Sequence, residues 1–185
     1  MEIIKGDISG LLILKPRKFE DDRGYFMESF NQNVFNDAVG EQVIFVLDNE
    51  SVSKANVVRG LHLQKPPYAQ GKLVRVTKGK VMDVAVDVRQ GSPTYGKYQL
   101  VELSAENGLQ FWIPPGFAHG FVALEEGTQF LYKCTELYDK DSEECILWND
   151  PAIKIDWEIK NPIVSLKDEE GISLTDFQSP FHYIH

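Results

Sequence analysis

Polar and apolar residues alternate through the middle of the chain, which is the pattern of half-buried β-strands. The alternation is clearest in residues 72–76 and 98–103, and a largely apolar run covers residues 80–88. Short segments rich in glycine, proline, asparagine and acidic residues separate these stretches, as turns do. Closely spaced strands of this kind favour an all-β sandwich or barrel over alternating β–α units. We therefore predict a mainly β protein with a few short peripheral helices.

The N-terminal region contributes further predicted elements. Strands are expected at residues 11–14, 25–30 and 43–47. A helix should begin after Asn31, whose side chain is suited to an N-cap, and end at Gly40, which is suited to a left-handed C-cap.

The C-terminal half is expected to continue the strand pattern and then to become irregular. Residues 121–124 and 129–136 are predicted to form a hairpin around a Glu-Glu-Gly-Thr turn. From about residue 150 the sequence mixes prolines, acidic residues and short apolar segments, so we expect a cap of loops and one or two short helices over one end of the barrel. The length suits a single domain that spans residues 1–185.

Composition narrows the class of protein. The net charge of −9 argues against nonspecific binding of nucleic acid, whose phosphates would be repelled. No apolar run approaches the roughly 20 residues that a membrane span needs, so we expect neither nucleic acid nor membrane among the partners. Two cysteines, Cys134 and Cys145, provide neither a disulfide framework nor a metal cluster, and the cytoplasm is the expected location.

Candidate chemistry centres on His62, Lys72 and Tyr132. His62 and Lys72 are expected on consecutive strands joined by a proline-containing loop, and both can face one cavity if the strand registers agree. A neutral histidine is a good base near pH 7, and a lysine can stabilise a growing oxyanion. A tyrosine can act as general acid, although on its own Tyr132 is equally consistent with a core aromatic residue. Together the three fit removal of a proton alpha to a carbonyl and its return on the opposite face, which is epimerisation.

Two short motifs resemble those of the cupin superfamily. The first runs His62-x-Gln64, then Lys72 and Gly79, and the second is Pro114-x-Gly116-x-x-His119. The resemblance implies a cupin-type double-stranded β-helix, a jelly-roll barrel. Metal-binding cupins have a histidine where Gln64 stands and a glutamate where Lys72 stands. Because an ammonium group repels a cation, we expect no metal and no other cofactor.

A more specific resemblance, to the dTDP-4-dehydrorhamnose 3,5-epimerase family, covers nearly the whole chain in the family's order. The matching stretches are residues 22–28, 48–51, 58–64, 70–76, 83–87, 92–96, 113–121, 132–135 and 165–168.

The resemblance implies a role for each site residue. His62 would be the base, with Asp168 holding its ring, Tyr132 would be the acid, and Lys72 would face the keto oxygen. The remaining residues would bind the dTDP-sugar: Arg23, Phe26, Glu28, Leu47, Asp48, Asn49, Arg59, His119, Tyr138, Glu143 and Lys167. Among these, Tyr138 would stack on the thymine. On sequence alone, the default interpretation of Arg23, Glu143 and Lys167 is a solvated surface charge, and only the resemblance assigns them to the site.

The resemblance also implies an assembly. Arg23, Phe26 and Glu28 would reach the pocket of a neighbouring subunit through an N-terminal arm, about residues 1–50, that is exchanged in a homodimer. Leu47 and Glu50 depart from the family, which often has a polar residue and a histidine there, and these departures bear on selectivity for the nucleotide base.

The expected activity is metal-free inversion of positions 3 and 5 of dTDP-4-dehydro-6-deoxy-D-glucose, which gives dTDP-4-dehydro-L-rhamnose. The rhamnose would supply polysaccharide synthesis, for example of lipopolysaccharide. Two alternatives stay open. One is an epimerase of position 3 or 5 alone, or a keto-isomerase, on a related nucleotide sugar. The other is a cupin that binds a sugar nucleotide without catalysis.

Overall fold

The computed structural model describes residues 1–184, which form mainly β structure, as predicted. The strands are β1 (Glu2–Lys5), β2 (Leu12–Lys15), β3 (Lys18–Asp21), β4 (Gly24–Met27), β5 (Leu47–Ser53), β6 (Val58–Gln64), β7 (Lys72–Lys78), β8 (Lys80–Asp87), β9 (Tyr98–Ser104), β10 (Gln110–Ile113), β11 (Phe117–Ala123), β12 (Thr128–Cys134) and β13 (Glu143–Cys145). The helices are α1 (Gln32–Val39) and α2 (Leu166–Glu169). Neither helix in this described part is long and apolar enough to cross a membrane.

Two antiparallel sheets face each other as a jelly-roll barrel, which confirms the predicted fold. Sheet 1 has the order β1-β2-β10-β7-β12-β5, and sheet 2 has the order β13-β6-β11-β8-β9. A separate hairpin consists of β3 and β4. The hairpin predicted for residues 121–136 is wrong, because β11 pairs with β6 and β8, whereas β12 pairs with β5 and β7. Alternation marks a strand but does not identify its partner, and here the chain crosses from one sheet to the other.

Apolar side chains form three clusters, one between the sheets and one on the outer face of each sheet. Between the sheets lie residues such as Val74, Phe111 and Phe130, all at most 1% exposed. On the outer face of sheet 1, α1 buries Phe35, whose ring centroid is 5.1 Å from that of Trp112. On the outer face of sheet 2 the C-terminal segment packs a third cluster formed by Ile153, Trp157, Leu174 and Phe177 with strand residues. The segment therefore covers a sheet face rather than an end of the barrel.

The N-terminal predictions are partly confirmed. Asn31 caps α1 by accepting hydrogen bonds from two backbone N–H groups, and Gly40 ends it with φ 85°, as expected. The strand predicted at residues 43–47 is wrong, since pairing starts only at Leu47. Val43 and Phe45 pack against α1 and sheet 1, so their alternation records one buried side of an unpaired segment. The strand predicted to reach Phe30 ends at Met27.

A close backbone contact sets the relation between β6 and β11. Gly60 has φ 136°, and a Cβ there would lie 2.6 Å from the Cα of Gly120. A side chain at either glycine would force the strands apart. In the register beside this contact His119 is paired with His62, so the two histidines of the cupin-like motifs are neighbours in sheet 2.

A buried carboxylate organises the turn after β8. Asp87 is inaccessible to solvent and accepts hydrogen bonds from Arg89 Nε at 2.9 Å, Ser92 Oγ at 2.6 Å and Thr94 Oγ1 at 2.7 Å. Burial alone would raise the pKa of Asp87, but these donors lower it below its ordinary value. The Arg89 guanidinium also lies 4.4 Å from the centroid of the Phe117 ring. A buried carboxylate needs hydrogen-bond donors, and Arg89, Ser92 and Thr94 supply them.

We predict that Asp87→Ala lowers the free energy of unfolding by about 3–5 kcal/mol at neutral pH, because it leaves the Arg89 guanidinium, whose side chain is only 13% exposed, unpaired. The lowered pKa means that the carboxylate stabilises the fold above its unfolded pKa of about 4 and loses this effect as pH falls through the folded value. Urea unfolding at pH 7 and below pH 4 measures both effects. The exposed Glu106→Ala is the control, and an equal stability of the two variants at pH 7 would contradict the prediction.

Candidate active site

A cavity of about 570 Å³ lies between the two sheets. Predicted site residues that line it are Arg59, His62, Lys72, His119, Tyr132, Glu143, Lys167 and Asp168. They come from both sheets and from the C-terminal segment. His62 on β6 and Lys72 on β7 line the same cavity, as expected. However, they reach it from opposite sheets rather than from neighbouring strands with a common register, because β6 and β7 do not pair.

His62 and Asp168 form a hydrogen-bonded pair at one wall. His62 Nε2 is 2.6 Å from Asp168 Oδ1, and the backbone N–H of Gly60 donates to Oδ2 at 3.3 Å. Ser165 caps α2 by accepting from the backbone N–H of Asp168, which fixes the carboxylate-bearing turn. Burial would raise the pKa of Asp168, but the hydrogen bond and charge of His62, with smaller contributions from Gly60 and Ser165, lower it. The carboxylate therefore stays ionised and holds the imidazole ring in place through this hydrogen bond.

Cys145 completes this group. It is the register partner of His62 on β13, and its Sγ lies 3.7 Å from Asp168 Oδ1. The potential ligand atoms of His62, Cys145 and Asp168 lie within 4.8 Å of one another, close enough to hold a metal ion. However, burial and the charge of Asp168 raise the pKa of Cys145 to about 12, so the thiol keeps its proton and donates to the carboxylate. The three residues form a hydrogen-bonded group without a thiolate ligand.

Lys72 brings a positive charge to the cavity. Among residues 1–184, no carboxylate lies within ion-pair distance of its ammonium group. Burial lowers the pKa of Lys72, and the nearby Cys134, Glu143 and Asp83 oppose this shift only in part. The ammonium group is thus available to a negatively charged oxygen in the cavity.

A second histidine–carboxylate pair lies deeper in the barrel. His119 Nε2 is 2.9 Å from Asp83 Oδ2, and both side chains are buried. Burial raises the pKa of Asp83, and His119 opposes the shift. Asp83 reaches His119 because β8 pairs with β11 in sheet 2.

Tyr132 lies at the boundary of two cavities. It faces the main cavity and also lines an adjoining pocket of about 350 Å³ with Asp48 and Asn49 of β5. Asn49 is its register partner. Burial, and next the neighbouring Cys134, raise the pKa of Tyr132, so its hydroxyl keeps a proton at neutral pH.

The mouth of the cavity carries charged and aromatic groups. Glu143 accepts a hydrogen bond from the Tyr138 hydroxyl at 3.0 Å and forms an ion pair with Lys167 at 2.6 Å. Arg59 donates to Ser53 Oγ at 3.1 Å. The Tyr138 side chain is exposed.

Seven predicted residues do not line the main cavity of their own chain: Asp48, Asn49 and Tyr138, described above, and Arg23, Phe26, Glu28 and Leu47. Arg23 and Phe26 belong to the β3–β4 hairpin, where Arg23 is paired with Asp21 and Phe26 is 70% exposed. Glu28 follows this hairpin and is exposed, and Leu47 is half-buried at the start of β5.

Sequence reasoning missed two residues that shape the site. Ser165 precedes Asp168 by three positions, and this Ser-x-x-Asp pattern is an N-cap signature that could have predicted α2. Cys145 gives no such signal, because β13 is three residues long and its register against β6 is a tertiary property.

Comparison with known proteins gives consistent matches over the whole fold. A family model described as dTDP-4-dehydrorhamnose 3,5-epimerase matches residues 5–176. The dTDP-4-dehydrorhamnose 3,5-epimerase of Shigella flexneri is 54% identical over 176 residues, which cover 95% of this chain and 97% of that protein.

Solved structures agree. The dTDP-6-deoxy-D-glucose-3,5-epimerase of Legionella pneumophila Philadelphia 1, in complex with dTDP-4-keto-L-rhamnose, superposes with a TM-score of 0.95 at 43% identity and covers 100% of this chain and 99% of its own. A 3'-monoepimerase from Streptomyces bikiniensis, in complex with dTDP-quinovose, reaches a TM-score of 0.87 at 30% identity, covering 91% and 86%. By sequence, fold and the extent of both matches, this chain belongs to the dTDP-4-dehydrorhamnose 3,5-epimerase family.

Proposed function

We propose that the protein inverts positions 3 and 5 of dTDP-4-dehydro-6-deoxy-D-glucose and releases dTDP-4-dehydro-L-rhamnose. The observation that carries the proposal is the convergence of the His62–Asp168 pair, Tyr132 and Lys72 on one cavity. Two relatives that match nearly the whole chain support this proposal. The proteins of Shigella flexneri and Legionella pneumophila are both named as 3,5-epimerases of dTDP-sugars. A cupin that only binds a sugar nucleotide would have no need of an oriented base, an acid and a cation together.

The reaction uses the acidity that the ketone at position 4 gives to its neighbours. His62 removes the proton from position 3 or 5, and the carbon–hydrogen electron pair moves into an enolate whose oxygen faces Lys72. Asp168 stabilises the imidazolium that forms. Tyr132 then donates its proton to the opposite face of the same carbon. His62 returns its proton to solvent, Tyr132 regains one, and the cycle repeats at the second centre.

The nucleotide end would bind at the mouth. Arg59 and Lys167 offer charge-assisted donors to a diphosphate, and His119 lines the sugar site. Tyr138 would stack on the thymine, since its ring is exposed and its hydroxyl is held by Glu143. Asp48 and Asn49 would contact the base from β5, beside the non-polar Leu47.

A single-centre epimerase is the second candidate. It is favoured by one observation, the structural likeness to the Streptomyces bikiniensis 3'-monoepimerase. The same base and acid serve one or two centres, so the configuration of the product must distinguish them. A keto-isomerase is less well supported, because Tyr132 faces the cavity.

We also propose a homodimer in which the β3–β4 hairpin of one chain completes the site of the other. The hairpin pairs only with itself among the named strands, and it exposes Phe19, Tyr25 and Phe26 at 51%, 54% and 70%. Exposed aromatic residues on one projecting element are typical of an interface. Arg23, Phe26 and Glu28 would then reach the partner's substrate. A cytoplasmic location and delivery of the product to polysaccharides such as lipopolysaccharide belong to the same proposal.

In heavy water, we expect the enzyme to introduce deuterium at positions 3 and 5 of the substrate, because both protons exchange through the enolate. His62→Ala should abolish the labelling and lower turnover by about 10² or more, with dTDP binding kept within about tenfold. NMR of labelling and product configuration in one tube is the measurement. The exposed His182→Ala is the matched control. A folded protein that labels neither position would refute the proposed function.

We predict that kcat falls at alkaline pH, in an alkaline limb of its pH profile, because Lys72 loses its proton there. Burial lowers its pKa, so its charge is present at low pH and is lost as pH rises through a value below the ordinary ~10.4. Lys72→Arg should remove this limb from the residual activity, since a guanidinium stays protonated. The exposed Lys78→Met should leave the limb unchanged. A limb that is the same in Lys72→Arg would assign it to another group.

Subunit complementation tests the shared site. An arm variant, Arg23→Ala with Phe26→Ala, and the cavity variant His62→Ala should each be nearly inactive. After the subunits are mixed and exchanged, half of the dimers would combine an intact arm with an intact cavity, and activity should return to about a quarter of wild type. Light scattering should give twice the 21.0 kDa chain mass. No recovery, or a fully active monomer, would overturn the shared site.

A further inference from the structure

Gln64 occupies the position where metal-binding cupins place a second histidine ligand, and none of the proposed chemistry uses it. It lies on β6 two residues after His62, and it is 4% exposed. His62 lines the cavity, whereas Gln64 does not. A buried side-chain amide must have hydrogen-bond partners, and the partners of Gln64 indicate its role.

All three polar contacts of Gln64 go to the backbone of two loops at the cavity mouth. Its Nε2 donates to the carbonyl of Tyr68 at 2.7 Å and to that of Leu137 at 3.0 Å. Its Oε1 accepts from the N–H of Asp139 at 2.9 Å. One side chain thus ties the loop that follows β6 to the loop that follows β12.

The same two loops are joined at other points. Gln70 Nε2 donates to the carbonyl of Glu136 at 2.8 Å, and the N–H of Lys65 donates to the carbonyl of Ser142 at 2.8 Å. Of the hydrogen bonds between these two loops, Gln64 makes three and Gln70 makes one.

The residue between the two anchored backbone groups is Tyr138. Gln64 bonds the carbonyl before it and the N–H after it. The ring itself is 59% exposed, and Glu143 accepts its hydroxyl proton. The backbone of residues 137–139, which Gln64 holds, therefore fixes the base of the side chain, and the bond to Glu143 fixes its far end.

We propose that Gln64 is a positioning residue for recognition of the nucleotide base: it fixes the backbone on both sides of Tyr138 and so holds the ring ready for stacking. The inference rests on the proposed stacking of Tyr138 on thymine. A ring that is oriented before binding costs less conformational entropy when the nucleotide arrives. Gln64 stands where metal-binding cupins have a ligand, and in this protein the residue at that position would orient a substrate-binding loop.

The test is Gln64→Met, which keeps the length and volume of the side chain and removes all three hydrogen bonds. We expect the KM for the dTDP-sugar and the Kd for dTDP, measured by calorimetry, to rise about three- to tenfold with kcat changed less than twofold. Tyr138→Ala should raise the same constants about tenfold or more, since base–aromatic stacking is a large part of nucleotide binding. In the double variant the effect of Gln64→Met should disappear, because the ring it positions is absent.

A matched control is Gln99→Met. Gln99 is also buried and also holds backbone, accepting from the N–H of Asp7 at 2.8 Å, but it lies outside the cavity lining. The Gln99→Met substitution should lower the melting temperature of the protein without changing KM for the dTDP-sugar. Gln64→Glu keeps the acceptor for Asp139 and loses the two donors, so it provides a second variant if Gln64→Met does not fold.

The outcomes separate the two proposals. If Tyr138→Ala weakens dTDP binding but neither Gln64 variant does, or if the Gln64 effect persists fully without Tyr138, the positioning role is refuted and the stacking role stands. If Tyr138→Ala leaves dTDP binding unchanged, the stacking role fails and this inference fails with it. A fall in kcat alone would indicate a purely structural role and would also overturn the inference.

Discussion

The hydrogen bond between His62 and Asp168 joins two parts of the chain that are 106 residues apart, and the site depends on it. A buried carboxylate is costly unless donors surround it. Here the donors are the imidazole of His62, the N–H of Gly60 and the thiol of Cys145. Since Asp168 stays ionised, it fixes the orientation of the His62 ring that faces the cavity.

The geometry that supports this pair begins in the strands. Gly60 and Gly120 let the backbones of β6 and β11 approach closely, and the donor N–H of Gly60 lies at the same place. The C-terminal segment covers the outer face of sheet 2 and brings α2 to the edge of the cavity. A tail that looked like a loose cap in the sequence thus contributes the carboxylate that orients the base.

The sequence predicted those features of the fold that depend on neighbouring residues. The β-rich class, the cap of α1 by Asn31 and the barrel followed from alternation, turn residues and motif order. The unpaired segment with Val43 and Phe45 was mistaken for a strand, because burial of one side produces the same alternation as pairing does. The crossing from β11 to β12 was mistaken for a hairpin for a similar reason: partner choice depends on the whole fold.

The candidate site was predicted less evenly. His62 and Lys72 stand at motif positions, so their residue types carried information. Cys145 reaches Asp168 only through the register of a three-residue strand, and no sequence pattern could place it. The contacts of Gln64 with two loops are likewise set by how the strands end, although its substitution for a ligand histidine was visible from the start.

The substitutions at Gln64 and Lys72 together change how the barrel supplies positive charge. In a metal-binding cupin, ligands at these positions hold a cation that can stabilise an oxyanion. Here β7 presents the ammonium group of Lys72 to the cavity. No ion pair among the described residues compensates its charge. The net charge of the chain is −9, yet three cations, Lys72, Arg59 and Lys167, line the cavity against two carboxylates, Glu143 and Asp168. Charges at this short range act on a bound substrate more strongly than the distant acidic surface does. An acidic protein can therefore present a site suited to a diphosphate and to an enolate, because the charges that matter lie within a few ångströms of the substrate.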